Sequence, residues 1–120
     1  MSDKVHILGV EYSIAKKNYD DDPAFSENSW DGYVDYAQKI IVLCNMKTYP
    51  DWDKKPDSVI LIWEKQTLRH EITHAFLEES GLSDSSLRYS AGWAKNEELV
   101  DWIAIQFPKM LSAFQEADCL

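Results

Sequence analysis

The spacing of hydrophobic residues predicts strands in the first part of the chain. Residues 4–16 are rich in valine, isoleucine and tyrosine and partly alternate with polar residues, which is typical of a β-strand. Residues 33–36 and 39–44 form two short extended runs, and their separation by two residues predicts a hairpin. Residues 18–32 have few periodic apolar positions and are predicted to form a loop. We therefore expect a small antiparallel sheet of about three strands, which requires a helix against its apolar face.

After residue 58 the hydrophobic pattern takes the period of an α-helix. Apolar residues at helical spacing predict a central helix over residues 59–80, with Asp57 or Ser58 as its N-cap. Gly81 is positioned to end this helix in the left-handed conformation. The helix carries more apolar surface than a lone helix can leave in water, so we expect it to lie between the sheet and a second element.

A second long helix supplies that element. It is predicted to start near Asn96, whose side-chain amide is a good N-cap, and to reach about residue 116. Pro108 is expected to kink or restart it, because proline lacks the backbone N–H of a helix interior. The chain is thus predicted to be an α+β protein, and its 120 residues fit one domain, residues 1–120.

Charge and composition exclude several classes of function. The chain has 21 acidic and 12 basic residues, a net charge of −9 and no basic cluster, which argues against binding to nucleic acid. If the chain has a macromolecular partner, a basic protein fits better than nucleic acid; the alternative is that the charge only keeps the protein in solution. The longest apolar runs have about five residues, whereas a membrane span needs roughly 20, and the N-terminus lacks the features of a secretory signal. We therefore expect a cytoplasmic protein.

The sequence HEITH, residues 70–74, indicates a metal site. His70 and His74 lie one helical turn apart, so both imidazoles project from one helix face and can bind the same tetrahedral ion. Glu71 lies beside them, where it can reach a water molecule bound to that ion. Two ordinary surface histidines are the alternative, although the bare pattern arises by chance in fewer than about one in a hundred chains of this length. A catalytic site requires a third ligand.

The second predicted helix offers this ligand in the sequence NEELVD, residues 96–101. Glu97 and Asp101 lie one turn apart, so both side chains can face the first helix. HEITH followed by a helix with NEELVD resembles the HExxH plus NExxxD arrangement of gluzincin zinc metallopeptidases. The small size, the N-terminal strands and the segments HAFLEESGL and EELVDWIA are similar to short phage and prophage proteins grouped with the ImmA/IrrE-like metallopeptidases. The resemblance covers residues 7–110 and is most specific in the two helices.

The resemblance implies a role for each of these residues. His70, His74 and Glu97 would be the ligands of Zn²⁺, Glu71 the general base, and Asp101 the carboxylate that accepts a hydrogen bond from a ligand imidazole. The chemistry of the residues agrees, because three protein ligands leave a fourth position for a water molecule, whose pKa zinc lowers to about 7. Glu71 can take the proton of this water and deliver it to the leaving amine.

Glu98 competes with Glu97 for the role of third ligand. One step along a helix turns the side chain by about 100°, so both cannot point at the same ion from a regular helix. Glu97 is preferred because only Glu97 keeps Asp101 on its own face.

Peptidases of this kind also need a donor for the oxyanion that develops on the substrate. Tyr89 is the first candidate, because it lies in the loop between the two metal helices. Arg88 and His6 are the alternatives, and no motif selects between them. A tyrosine that only packs under the loop is equally compatible with the pattern.

The sequence therefore predicts a zinc metallopeptidase, a hydrolase that acts on a peptide or protein substrate. The edge of the sheet at residues 39–44 is expected to pair with an extended peptide beside the metal. By the resemblance to prophage proteins, the substrate would be a repressor or another regulatory protein. One alternative is a zinc-stabilised interaction module that cleaves nothing, and another is a metal-free domain in which HEITH is coincidental.

The two cysteines match no CxxC spacing and indicate no disulfide framework. Cys44 is expected to be buried and Cys119 to lie in the C-terminal tail. One hypothesis is that the tail folds back, so that Cys119 takes the open ligand position and keeps the enzyme latent. The alternative is a free tail.

Overall fold

Four strands form one mixed sheet in the computed structural model, which describes residues 1–83 and 92–120. The strands, in the spatial order β1-β2-β4-β3, are β1 (Lys4–Ile7), β2 (Val10–Lys17), β3 (Gly32–Asp35) and β4 (Ile40–Cys44). The pairs β1–β2 and β3–β4 are antiparallel, whereas β2 and β4 run parallel. The predicted α+β class is confirmed, but the sheet has four strands rather than three and contains a parallel pair.

The additional strand arises because residues 4–16 form a hairpin instead of one strand. Leu8 and Gly9 both have positive φ angles, 49° and 86°, so the chain reverses within two residues. Glycine adopts such an angle freely, whereas leucine rarely does, and the side chain of Leu8 is 61% exposed. The favoured Asn-Gly or Asp-Gly pair is missing here, and the sequence pattern therefore indicated continuous strand character.

Residues 18–32, predicted to be a loop, contain a short helix, α1 (Pro23–Asn28). Asp22 caps it, because Asp22 Oδ1 accepts a hydrogen bond from the backbone N–H of Ala24 at 3.0 Å. Phe25 anchors the helix in the core. The loop prediction was wrong for this segment, since a proline at the first helical position after an aspartate is a helix-start signal even where apolar periodicity is weak.

The central helix, α2, covers Asp57–Glu79, close to its predicted bounds. Its N-cap is Pro56, without a side-chain hydrogen bond, so the predicted caps Asp57 and Ser58 lie inside the first turn instead. Gly81 follows the helix with a φ angle of 83°, in the left-handed conformation predicted for it.

α2 packs on the sheet, and its close approach to β3 requires Gly32. A Cβ atom on Gly32 would lie 2.8 Å from Thr67 Cγ2 and 3.1 Å from the carbonyl oxygen of Val42. A larger residue would therefore push helix and strand apart. The core consists of two clusters of buried residues: Ile7, Tyr12, Ile41, Leu43 and Ala75 form one, and Phe25, Val42, Cys44, Met46 and Ile60 form the other.

The last helix, α3 (Glu97–Glu116), packs on α2. Asn96 caps it as predicted, since Asn96 Oδ1 accepts a hydrogen bond from the helix backbone at 2.9 Å. Pro108 lies inside the helix and does not interrupt it. Proline has no N–H for the carbonyl group of Ala104, and Arg69 Nε donates to that oxygen instead, at 2.6 Å. Neither α2, α3 nor any other described helix is long and apolar enough to cross a membrane.

Candidate metal centre

The two long helices bring three predicted metal ligands together. His70 and His74 lie one turn apart on α2, and Glu97 is the first residue of α3. His70 Nε2 lies 3.0 Å from His74 Nε2 and 3.1 Å from Glu97 Oε2. Glu97 Oε1 lies 3.1 Å from His74 Nε2. These three side chains form a compact ligand group that can hold a metal ion.

The dimensions of this ligand group fit a tetrahedral ion. Zinc holds nitrogen and oxygen ligands at about 2.0–2.2 Å, which places neighbouring ligand atoms about 3.3–3.6 Å apart at the tetrahedral angle. The separations of 3.0–3.3 Å between the ligand atoms are close to this spacing. The three atoms thus approximate one face of a ligand tetrahedron.

Asp101 selects the tautomer of His70. Asp101 Oδ1 lies 2.6 Å from His70 Nδ1, so the carboxylate accepts the Nδ1 proton and the neutral imidazole keeps a lone pair on Nε2. That lone pair faces His74 Nε2 and the carboxylate of Glu97. Atoms that all present lone pairs repel one another at this distance unless a cation or a shared proton lies between them. The chemistry of these three ligand atoms therefore fits a metal ion.

Burial shifts the protonation equilibria of two residues in the motif. Burial lowers the pKa of His74, although the Glu97 carboxylate opposes the shift, and the neutral imidazole that this favours is the form that binds metals. Glu71 is 6% exposed. Its burial, together with the carboxylates of Asp31, Glu97 and Asp101, raises the pKa of Glu71 to about 8. A divalent cation in the ligand group would lower the pKa of Glu71, because it would stabilise the charged carboxylate.

The other candidate residues of the site have different positions. Glu98 is exposed and lies outside the ligand group, as expected for a side chain turned by about 100° from Glu97. His6 is an exposed residue of β1, at the opposite edge of the sheet from β3, so it does not reach the ligand group. Arg88 and Tyr89 lie outside the described residues.

Cys119 lies far from the ligand group. α3 has 20 residues, a length of about 30 Å at 1.5 Å per residue, and Cys119 follows its far end. Cys119 Sγ contacts the carbonyl oxygen of Phe114 at 3.5 Å. The hypothesis that the tail covers the metal position was therefore wrong.

A cleft of about 820 Å³ opens beside the ligand group, with β3 on one side and α2 on the other. The prediction that residues 39–44 form the accessible edge was wrong, because β4 lies inside the sheet between β2 and β3. Cys44 N donates to Asp31 O at 2.9 Å. Residues whose backbone groups face the partner strand alternate with residues whose groups face away from it, so the N–H and C=O groups of Gly32 and Val34 point away from β4. An extended peptide can pair with these groups.

Tyr36 is a functional candidate that the sequence pattern did not single out. It follows β3, is half-buried and lines the cleft together with Glu71 and Glu97. Burial and the nearby carboxylates raise the pKa of Tyr36 to about 12, so its hydroxyl group remains a proton donor at neutral pH. Lys95 Nζ lies over its ring, 5.9 Å from the centroid. A tyrosine at the end of a short strand carries no functional signal in the sequence.

No protein-family model, curated protein or solved structure matches this chain. The cleft combines a candidate cation site, a buried carboxylate next to it and an open strand edge.

Proposed function

We propose that the chain is a zinc-dependent peptidase that hydrolyses a peptide bond in a protein or peptide. The observation that carries this proposal is the convergence of His70, His74 and Glu97 at 3.0–3.3 Å, with Asp101 hydrogen-bonded to His70. Two imidazoles and one carboxylate are a ligand set of catalytic zinc sites that leaves one position open. Nitrogen donors at this spacing favour zinc over calcium and magnesium, which take oxygen ligands.

The residues around the ligand group supply the remaining chemistry. Zinc bound there would polarise the substrate carbonyl group and lower the pKa of a water molecule. Glu71 accepts a proton from the attacking water and returns it to the leaving amine. Tyr36 donates a hydrogen bond to the oxygen on which negative charge develops. Asp101 keeps His70 in the tautomer that presents a lone pair to the metal.

The substrate binds as an extended segment along β3. The outward backbone groups of Gly32 and Val34 provide main-chain hydrogen bonds to such a segment beside the ligand group. From the resemblance of the two helices to prophage metallopeptidases, we propose a repressor or another regulatory protein as the substrate. We place the activity in the cytoplasm, where the free thiols of Cys44 and Cys119 would stay reduced.

Zinc content and peptide cleavage test the proposal together. Protein purified without added metal is expected to contain about one zinc ion per chain, and His74→Ala to contain almost none. In a mass-spectrometric assay with a library of random peptides, Glu71→Gln is expected to keep its zinc and to lose cleavage by about 100-fold or more. Glu97→Gln is expected to lower the zinc content as well. Glu98→Gln is its matched control, because it removes a neighbouring carboxylate outside the ligand group.

Two results would contradict the proposal in different ways. Equal zinc content in the wild type and His74→Ala would exclude the metal site. Stoichiometric zinc without cleavage of any peptide by the wild type would exclude the peptidase and leave the zinc-stabilised interaction module.

A further inference from the structure

Asp31, directly before β3, is held in the cleft by two residues of α2. Asp31 Oδ2 accepts hydrogen bonds from the indole N–H of Trp63 at 2.8 Å and from the hydroxyl group of Thr67 at 3.3 Å. Both bonds end on the same oxygen, and no donor in the described part of the chain contacts Oδ1. The carboxylate is therefore fixed in position while one of its oxygens remains available to a ligand.

Two tryptophans line the cleft next to this carboxylate. Trp30 is 45% exposed and Trp63 is 38% exposed. The ring of Trp30 packs against Tyr33 at 5.9 Å between centroids, and the ring of Trp63 packs against Trp52 at 5.2 Å. Aromatic neighbours thus hold both indoles while a large part of each remains open to solvent. Exposed indole faces attract cations, and they also cover alkyl chains.

Asp31 forms no ion pair with any of residues 1–83 and 92–120, although Lys95 also lines the cleft, where it lies over Tyr36. The lysines in ion pairs have other partners: Lys4 pairs with Glu11, Lys16 with Glu64, Lys17 with Asp22, Lys39 with Glu79 and Lys47 with Asp57. Further along the cleft, a divalent cation held by His70, His74 and Glu97 would offset the charges of Glu97 and Asp101, and Asp31 is not among these three residues. This part of the cleft therefore combines aromatic walls with a carboxylate that forms no ion pair within the described part of the chain.

Asp31 lies beside α2 at the level of Trp63 and Thr67, and this position sets its distance from the bond that is cleaved. Thr67 precedes Glu71 by one turn, about 6 Å along the axis, and Trp63 precedes it by about 12 Å. An extended peptide advances about 3.3 Å per residue. A peptide that pairs with β3 and has its cleaved bond at Glu71 therefore places a side chain at Asp31 about two to four residues from that bond.

We propose that Trp30, Asp31 and Trp63 form a subsite for the cationic side chain of a lysine or arginine in the peptide substrate. This inference rests on the proposed function, because it names the class of peptide that the same cleft prefers. Asp31 Oδ1 receives the charged group, and the two indoles contact the alkyl chain. An acidic side chain at this position is rejected by like charge. The net charge of −9 also draws basic peptides towards the chain.

The subsite is tested by binding, without a need for cleavage. The zinc-loaded Glu71→Gln protein is titrated, by fluorescence anisotropy, with labelled short peptide libraries that carry either lysine or norleucine at one fixed position. Lysine peptides are expected to bind about 10-fold more tightly. Asp31→Asn, added to Glu71→Gln, keeps an acceptor oxygen for Trp63 and Thr67 and is expected to reduce this preference to about 2-fold or less.

Glu27→Gln, in the same background, is the matched control. Glu27 is an exposed residue of α1 outside the cleft, so its substitution removes one negative charge and is expected to keep the lysine preference. Trp30→Leu changes an exposed side chain and is expected to weaken the binding of lysine peptides more than that of norleucine peptides. It gives a second measurement if Asp31→Asn does not fold. Equal binding of both libraries, or an undiminished preference in Asp31→Asn, would overturn the subsite.

The outcomes separate this inference from the proposed function. A lysine preference that depends on Asp31, in a protein whose wild type cleaves nothing, would contradict the peptidase and support the subsite. Cleavage by the wild type without any preference for lysine or arginine near the cleaved bond would contradict the subsite alone.

Discussion

The two helices that carry the metal ligands are held in the fold to different degrees. α2 is joined to the sheet and to Asp31 by polar contacts along its length: Lys16 to Glu64 at 2.8 Å, Lys39 to Glu79 at 2.6 Å, Tyr12 to Glu79 at 2.5 Å and Trp63 to Asp31 at 2.8 Å. α3 packs on α2, its buried residues are Val100 and Ala104, and its residues beyond Leu111 are exposed. The site therefore combines histidines on a firmly held helix with a carboxylate on a more weakly held one.

This difference gives a bound ion a structural role as well as a chemical one. Ligands from α2 and α3 would be joined through the metal, and the hydrogen bond from His70 to Asp101 acts between the same two helices. We therefore expect the sheet and α2 to be stable without metal, whereas the position of α3 depends on it. Five experiments test this comparison.

The largest effect is expected from Leu43→Ala in β4. Leu43 is 1% exposed, so the loss of its side chain is expected to lower the free energy of unfolding by about 2–5 kcal/mol. Leu111→Ala removes the same atoms from a half-buried position of α3 and should cost about 1 kcal/mol or less. Urea denaturation followed by circular dichroism measures both. Equal losses would contradict the unequal anchoring of the two regions.

Removal of zinc is expected to loosen α3 more than α2. A ligand at about 100 times its Kd stabilises the folded state by about 2.7 kcal/mol, and this contribution disappears with a chelator. Hydrogen exchange measured by mass spectrometry should become faster at residues 97–104 and remain unchanged in β4. In His74→Ala, the chelator should have no effect. Uniformly faster exchange would show that the metal stabilises the whole fold instead of the contact between helices.

Asp101→Asn is expected to weaken zinc affinity by about 10- to 100-fold, because the amide is a poorer acceptor for the Nδ1 proton of His70. This loss of affinity corresponds to about 1.4–2.7 kcal/mol of the free energy of zinc binding. Competition with a chromogenic chelator measures the affinity, with Glu98→Gln as the control that changes a neighbouring charge. If Asp101→Asn and Glu98→Gln bind zinc equally well, Asp101 does not support the ligand.

Arg69→Met tests how α3 tolerates Pro108. The substitution leaves the Ala104 carbonyl without its donor and is expected to cost about 1–2 kcal/mol. In a Pro108→Ala background, the cost should fall well below this, because a backbone N–H is restored at position 108. Thermal denaturation of the two single variants and the double variant measures the coupling. Strictly additive effects would contradict the compensation.

The smallest effect concerns the pH dependence of the sheet region. The hydrogen bond from Tyr33 lowers the pKa of Asp22, with smaller contributions from Ala24 N–H and Lys17. A carboxyl group with a lowered pKa stabilises the fold above its unfolded pKa, about 3.9, and this stability is lost as the pH falls through the folded pKa. Asp22→Asn should therefore show a shallower loss of stability below about pH 4 than the wild type. Asp20→Asn, at an exposed position, is the control, and identical slopes for Asp22→Asn and the wild type would contradict the prediction.

The sequence by itself determined the parts of the site that lie on one helix. His70, Glu71 and His74 have a fixed relation because an α-helix repeats its geometry every few residues, whatever surrounds it. The ends of the helices at Gly81 and Asn96 were predictable for the same reason, since caps act on the nearest turn.

The tertiary structure alone decided what faces those residues. β2 pairs in parallel with β4, which joins Ser13 to Ile40, and this pairing moves β4 to the interior and leaves β3 at the cleft. Asp31 and Tyr36 enter the cleft only as a consequence of that strand order. Local alternation specifies which face of a strand is buried but does not specify its neighbours. Strand pairing depends on contacts between residues that are distant in sequence, so the pattern of a short segment does not predict which strands pair.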